Sequence, residues 1–156
     1  MGLRPALSKI ISGGQTGVDR AALDAALSLG IPCGGWCPRG RRAEDGMIPS
    51  RYPLVETPTA RYPQRTEWNL RDSDGTLVLH AGRPRGGTAL TLRLLGRQRK
   101  PVLSIDLDQS PDPRVVAEWI ASGEMRVLNV AGPRESECPG VGRRAKQFLE
   151  KALRPL

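Results

Sequence analysis

Histidine, cysteine and aromatic residues are scarce in this sequence, and each scarcity excludes a class of site. The single histidine, His80, would have to carry any His-based metal site or Ser-His-Asp triad by itself. The three cysteines, Cys33, Cys37 and Cys138, form no Cys-x-x-Cys pair, which argues against a disulfide framework and a zinc ribbon. Aromatic residues make up 4% of the chain and do not alternate with basic residues, as a stacking platform for single-stranded nucleic acid would require. The sequence therefore predicts no metal site.

Long apolar runs are also missing. No run approaches the roughly 18 residues of a membrane-spanning helix, and the first six residues lack the apolar core of a secretory signal. We therefore predict a cytoplasmic protein with no membrane partner. A chain of 156 residues can bury a core without disulfide or metal staples, and it shows no internal repeat or linker. The sequence predicts one domain covering residues 1–156.

Basic residues outnumber acidic residues in this chain. The net charge of +8 arises from 24 basic and 16 acidic residues, and 20 of the basic residues are arginine. Because the guanidinium group pairs with phosphate through two hydrogen bonds, this excess suits a phosphorylated small molecule or nucleic acid. A compositional bias towards Arg, Ala, Gly and Pro, typical of a GC-rich genome, explains the same excess. Without interleaved aromatic residues, nucleic acid is the less favoured partner.

The N-terminal region has the pattern of a strand, a glycine turn and a helix. An apolar run at residues 7–11 is followed by three glycines within residues 13–17 and by helical apolar spacing at residues 21–27. Free N–H groups and the positive end of a helix dipole favour a phosphate at such a turn. The pattern is neither a P-loop nor a dinucleotide fingerprint. A tight turn with a capping box, Thr16 as N-cap and Asp19 three residues later, explains it equally well.

The rest of the chain alternates between predicted strands and helices. Strands that read as continuous apolar runs between helices indicate a parallel sheet covered on both faces. The sequence thus predicts an α/β, Rossmann-like fold with an open, mainly parallel sheet of about five strands and helices on both faces. Residues 38–63, rich in proline, glycine and charge, are predicted to form a long irregular loop. The predicted strands are 33–36, 76–80, 101–105 and 126–130, and the predicted helices are 64–72, 89–99, 113–122 and 141–153.

Three turns that combine glycine, a hydroxyl and an arginine follow predicted strands, at residues 13–20, 82–88 and 132–136. Ligands of open α/β sheets bind at the carboxyl ends of the strands. If the first strand and the 76–80 strand are neighbours, two helix N-termini converge on one crevice, which suits a phosphorylated ligand. We predict that this ligand is bound by Gly13, Gly14, Gln15, Thr16, Gly17, Arg20, Arg83, Arg85, Gly86, Gly87, Thr88, Arg134 and Ser136.

No pair of nucleophile and base is evident in the sequence. Ser12, Ser104 and Ser136 have no evident histidine partner, and no Gly-x-Ser-x-Gly elbow occurs. A general acid or base could come from three carboxylates near the predicted crevice, although a solvated loop explains two of them equally well. The catalytic candidates are Asp19, Glu44 and Asp45.

Four blocks of the sequence resemble the molybdenum carrier family. They are the run GGQTGVDR at residues 13–20, Arg65-Thr66 with Asn69 and SDGT within residues 65–76, GGT at residues 86–88, and LNVAGPRES at residues 128–136. The resemblance implies a Rossmann-like fold related to the LOG-type, lysine-decarboxylase-like nucleotide-binding superfamily. It also implies a homo-oligomer and, for some members, binding of molybdenum cofactor, a phosphorylated pterin with a metal-bearing dithiolene. Its phosphate-cradling positions would be Gly13, Gly14, Thr16, Gly17, Gly86, Gly87 and Thr88.

The chain departs from the related LOG-type phosphoribohydrolases at one motif. Those enzymes carry a P-G-G-x-G-T turn followed closely by a glutamate, whereas residues 84–88 here are only partly similar and residues 89–91 contain no carboxylate. Our leading hypothesis is a cytoplasmic binding or carrier protein for a phosphorylated pterin or nucleotide-like ligand, with molybdenum cofactor as one candidate. The alternative is a LOG-type, phosphoribohydrolase-like enzyme that acts on a nucleotide or a nucleotide-derived sugar.

Overall fold

The computed structural model of the chain describes residues 7–154, so the first six residues, used above to predict location, lie outside it. No helix in this range is long and apolar enough to cross a membrane. In chain order the elements are β1 (Lys9–Ile11), α1 (Val18–Leu29), β2 (Cys33–Gly34), β3 (Trp36–Cys37), β4 (Arg42–Ala43), β5 (Gly46–Met47), β6 (Val55–Glu56), α2 (Tyr62–Arg71), β7 (Gly75–His80), α3 (Gly86–Leu95), β8 (Val102–Asp106), α4 (Arg114–Ser122), β9 (Val127–Ala131) and α5 (Val141–Leu153).

The central sheet has five parallel strands in the order β2-β1-β9-β7-β8. The predicted α/β, Rossmann-like fold is confirmed. The condition considered above, that β1 and β7 are neighbours, is not met, because β9, the last strand in sequence, lies between them. Strand order depends on pairing between residues far apart in the chain, which local patterns do not encode.

Both faces of the sheet are covered by helices. Leu77 and Leu79 of β7 pack in the larger core with α1, α4 and α5. Val78, between them in sequence, points to the opposite face and packs with Leu70 of α2 and Leu95 of α3. Because successive side chains of a strand point to opposite faces of the sheet, the apolar run of β7 contributes to the cores on both faces. The chain after β9 therefore enters a helix on one face, while the chain after β7 enters a helix on the other.

Two predicted boundaries are corrected by the positions of glycines. The predicted strand at 33–36 divides at Gly35, whose φ is 123° and whose Cβ would lie 2.4 Å from the carbonyl oxygen of Ser12. Only glycine permits this approach, and β3 leaves the main sheet there. Helix α3 begins at Gly86 rather than at residue 89, so its two first residues are glycines.

Residues 38–63, which the sequence predicts to be a long irregular loop, contain three strands of two residues each. Strands β4 and β5 form a hairpin, and β6 pairs in parallel with β3. A second apolar cluster buries Cys37, Ile48 and Tyr52 against Leu23 of α1. We call residues 36–56 the small lobe. Its strands of two residues each are too short to produce a periodic pattern, which is why the sequence did not reveal them.

Candidate ligand-binding site

A cavity lies at the carboxyl edge of the sheet, between the ends of β1 and β9, helix α2 and the start of α3. The loops that follow β9 and β7 lead to opposite faces of the sheet, and ligands of α/β sheets bind at such a reversal. The lining residues are Gly13, Gln15, Asp19, Tyr62, Arg65, Thr66, Asn69, Gly87, Thr88, Leu90, Thr91, Asn129, Val130, Ala131, Gly132, Pro133, Arg134 and Glu137.

Two buried polar atoms of the lining residues have no hydrogen-bond partner within residues 7–154. They are Nε2 of Gln15 and Oγ1 of Thr88, in side chains of residues that are 5% and 3% exposed. The other end of the Gln15 amide is occupied, because Oε1 accepts hydrogen bonds from the N–H groups of Thr16 (3.0 Å) and Glu44 (2.9 Å). Buried polar groups are nearly always paired in folded proteins. Because both residues line the same cavity, these two atoms are candidates for hydrogen bonds to a ligand.

The N-terminus of α3 is open towards this cavity. Arg85 is its N-cap residue and provides no side-chain cap. The N–H groups of Gly86 and Gly87 have no acceptor in the described part of the chain. Nothing lies within 4 Å of the position of a Cβ on Gly87, whereas the Glu137 carboxylate lies 3.0 Å from that position on Gly86. The N–H groups, the dipole of α3 and the unpaired hydroxyl of Thr88 therefore form a candidate anion site, with the Glu137 carboxylate beside it.

The N-terminus of α1, in contrast, is largely closed by the protein itself. The N–H of Val18 donates to the carbonyl oxygen of Pro133 (3.2 Å), and the N–H of Gln15 donates to Asp19 Oδ2 (3.3 Å). The capping-box alternative is wrong, because Gly17 is the N-cap residue and no side chain caps the helix. The hydroxyl of Thr16 instead donates to Glu44 and accepts from the N–H of Glu135 (3.1 Å).

A buried ion pair joins this turn to α2. Arg65 Nη1 donates to the carbonyl oxygen of Gly13 (2.9 Å) and lies 3.4 Å from Asp19 Oδ2. Burial raises the pKa of the Asp19 carboxyl from 3.8 to about 6, although Arg65 acts in the opposite direction. Asn69, one turn after Arg65, exchanges two hydrogen bonds with the backbone of Trp36. Arg65 was missed as a site residue. Its four-residue spacing from Asn69 on one helical face was the signal available.

We expect the Asp19 carboxyl to make folding stability depend on pH. Between pH 3.8 and about 6 the folded state keeps a proton that the unfolded state has lost, so this contribution is present at low pH and disappears as pH rises through 6. Asp19→Asn should remove it, as measured by urea unfolding at several pH values. Asp45→Asn is the control, because the hydrogen bond from Arg20 lowers the pKa of Asp45 and the dependence has the opposite sign. Equal pH slopes for wild type and Asp19→Asn would contradict this assignment.

The remaining predicted site residues are divided between the cavity and other surfaces. Arg134 lines the cavity and pairs with Glu137 (2.9 Å). Arg83 and Arg85 are exposed and do not line it. Gly14 packs beneath side chains of the small lobe. A separate groove beside α1 and α5 contains Thr16, Gly17, Arg20, Glu44, Asp45 and Ser136.

Of the three catalytic candidates, the cavity contains Asp19 alone. Glu44 accepts hydrogen bonds from the N–H and hydroxyl of Ser136 (3.2 and 2.5 Å). Asp45 accepts two from Arg20 (2.5 and 2.7 Å). Both carboxylates therefore join loops to one another in the groove.

A serine and histidine pair that the sequence did not reveal forms on the edge of the sheet. His80 Nε2 lies 2.9 Å from Ser104 Oγ, and its Nδ1 lies 2.6 Å from the carbonyl oxygen of Gly82. The expectation that Ser104 has no histidine partner is wrong, because pairing of β7 with β8 brings these residues together. Neither residue lines the cavity or the groove.

Comparison with known proteins gives one family and one close structural relative. The family model that matches residues 10–153 is described as the circularly permutated YpsA SLOG family. A crystal structure from Syntrophus aciditrophicus SB, named "Putative molybdenum carrier protein", superposes with a TM-score of 0.90. The two sequences are 46% identical, and the match covers 96% of each chain. A search of curated proteins found no match.

These findings confirm the resemblance inferred from the four sequence blocks. The matched range contains the central sheet almost entirely and all the residues that line the cavity. The structural match extends over nearly the whole of both chains, so it includes the small lobe as well as the sheet. The chain belongs to the circularly permutated YpsA SLOG family.

Proposed function

We propose that this protein binds a phosphorylated pterin or nucleotide-like ligand in the cavity and holds it without transforming it. The observation that carries the proposal is the pair of unpaired polar atoms, Gln15 Nε2 and Thr88 Oγ1, on one cavity. Thr88 is the third residue of α3, so its hydroxyl accompanies the free N–H groups of Gly86 and Gly87. Backbone N–H groups at a helix N-terminus, together with a hydroxyl, are typical phosphate ligands.

Two arginines of the cavity lie beside the ring of Tyr62. Arg65 and Arg134 both line the cavity, and their guanidinium carbons lie 5.2 and 5.5 Å from the ring centre of Tyr62. The guanidinium carbon of Arg42 lies 4.7 Å from the same ring centre, but Arg42 does not line the cavity. Asp19 and Glu137 also line the cavity and balance the two arginines in two ion pairs, so these four residues contribute no net charge. The case for a phosphate therefore depends on the N–H groups and the Thr88 hydroxyl at the start of α3, where the Glu137 carboxylate lies beside Gly86 and is paired with Arg134.

Molybdenum cofactor is one candidate cargo, because the relative from Syntrophus aciditrophicus is named as a molybdenum carrier. The α3 N-terminus and Thr88 would hold the phosphate of the pterin. Cys33, Cys37 and Cys138 do not line the cavity, so they would not contact the dithiolene end. A carrier role requires reversible binding of the cargo, and hydrogen bonds to a phosphate meet that requirement without a covalent link.

Native mass spectrometry of the protein as purified tests the proposal. We expect a bound mass that is released on denaturation and contains phosphorus, and metal analysis shows whether molybdenum accompanies it. Empty protein is then titrated with GMP, AMP and inorganic phosphate by calorimetry. No bound mass and no affinity for any of these compounds would refute ligand binding. The same spectra report the homo-oligomeric state that the family resemblance implies.

The alternative function, nucleotide processing, has one observation in its favour. Asp19 is a buried carboxyl in the cavity with a pKa of about 6, which suits a general acid or base near neutral pH. In that case wild-type protein should release free base or phosphate from nucleoside monophosphates, as followed by chromatography. Asp19→Asn should abolish the release. If the nucleotides remain unchanged after prolonged incubation with wild type, nucleotide processing is excluded and ligand binding remains as the proposed function.

A further inference from the structure

Glu44 joins three segments of the chain from the tip of the β4/β5 hairpin. Its carboxylate accepts hydrogen bonds from the hydroxyls of Thr16 and Ser136, which belong to the loops after β1 and β9. The N–H of Ser136 donates to the same carboxylate (3.2 Å). The hairpin of the small lobe is therefore fastened to two loops at the carboxyl edge of the main sheet.

The neighbouring residue strengthens this attachment. Asp45 forms a bidentate pair with Arg20 (2.5 and 2.7 Å), and Arg20 Nε donates to the carbonyl oxygen of Gly14 (3.0 Å). Bidentate arginine–carboxylate pairs are among the stronger side-chain contacts and have a defined geometry. Glu44 and Asp45 thus hold the hairpin close to Gln15.

The backbone of Glu44 reaches Gln15 directly. Its N–H donates to Gln15 Oε1 (2.9 Å), as does the N–H of Thr16 (3.0 Å). An amide could present either its oxygen or its NH₂ group to the cavity, depending on which end is occupied elsewhere. Because both N–H donors occupy Oε1, the NH₂ group is the end left for a ligand. The hairpin thereby determines that Gln15 offers a hydrogen-bond donor, and not an acceptor, in this part of the cavity.

We propose that Glu44 is a positioning residue: its carboxylate fastens the hairpin so that the Gln15 amide presents a donor, and the ligand offers an acceptor oxygen there. The part concerning the ligand rests on the function proposed above, whereas the orientation of Gln15 does not. Phosphoryl and carbonyl oxygens of a ligand meet this requirement. An amino group of a ligand at the same place is disfavoured, because its N–H donors would face those of the Gln15 NH₂ group.

The orientation is tested first without ligand, by NMR of the ¹⁵N-labelled side-chain amides in the full chain. Gln15→Met identifies the Gln15 NH₂ signals by their disappearance. In Glu44→Ala these signals should shift and converge towards those of a freely rotating amide. Glu56→Ala is the matched control, because Glu56 is a carboxylate of the same lobe that accepts from the N–H of Gly40 (2.5 Å) and does not contact Gln15. Unchanged Gln15 signals in Glu44→Ala would overturn the proposal.

Ligand binding is tested second, by calorimetry with GMP and inorganic phosphate. We expect Glu44→Ala to weaken binding about fivefold when it is introduced into the wild-type protein. When it is introduced into the Gln15→Met variant, we expect it to weaken binding by less than about twofold. An equal loss in both backgrounds would show that Glu44 acts otherwise than through Gln15 and would overturn the proposal. If wild type binds neither probe, the NMR result alone decides the role of Glu44, and the proposed function is judged by the native mass spectra and the full set of titrations described above.

Discussion

Replacing Thr88 by valine should weaken binding of phosphorylated ligands by about 10- to 100-fold while making the free protein more stable. The hydroxyl of Thr88 is buried without a partner in the described part of the chain, so removing it relieves an unmet hydrogen-bonding need. The expected gain in the free energy of unfolding is about 1 kcal/mol. The bound state loses a hydrogen bond to a charged group, worth about 1.5–3 kcal/mol. Urea unfolding and calorimetry with GMP measure the two effects.

Thr91→Val is the matched control for this change. Thr91 also lines the cavity and is 5% exposed, but its hydroxyl already donates to the carbonyl oxygen of Gly87 (3.0 Å). Its replacement should lower stability slightly and change affinity by less than about threefold, since the hydroxyl proton is already used inside the protein. If Thr88→Val and Thr91→Val behave alike in both measurements, Thr88 has no special role in binding.

Replacing Arg65 by methionine should destabilise the protein by about 3–5 kcal/mol, the largest loss that we expect from a single ion pair here. The change leaves the buried Asp19 carboxylate without its nearest cation and the carbonyl oxygen of Gly13 without its donor. The pKa of Asp19, about 6 with Arg65 present, should rise further, because Arg65 acts against the effect of burial. Urea unfolding at pH 7 measures the stability, and NMR titration of the Asp19 carboxyl measures its pKa.

An exposed ion pair provides the comparison. Arg71→Met breaks a pair with Asp72 (2.7 Å) at the C-terminal end of the same helix, where the two side chains are 55% and 41% exposed. That change should cost no more than about 1 kcal/mol, since water replaces the lost partner. Arg65→Met should also cost less when Asp19 is already Asn, because no unpaired carboxylate remains. Equal costs for Arg65→Met and Arg71→Met would contradict the structural role of the buried pair.

Some of the site could be predicted because it depends on local patterns. Gly87 and Thr88 were selected from the glycine turn after β7, and both line the cavity. Gln15 was selected with the first turn, but its importance lies in the NH₂ group left unpaired after the small lobe has occupied its oxygen. Arg83 and Arg85 matched the expected charge and nevertheless lie in solvent. Charge and spacing do not reveal which way a loop residue points.

Taken by itself, the sequence determined the α/β class, the approximate positions of the main-sheet strands and the edge of the sheet at which the cavity lies. These features follow from hydrophobic periodicity and from glycines at strand ends, which act over a few residues. Only the tertiary structure decided that α3, and not α1, keeps its N-terminus free. Pro133 and Asp19 supply acceptors to the turn before α1, and Glu44 sets the polarity of Gln15 from a lobe that showed no periodic pattern. These contacts join residues that are distant in the chain or depend on exact side-chain placement, and no local pattern records them.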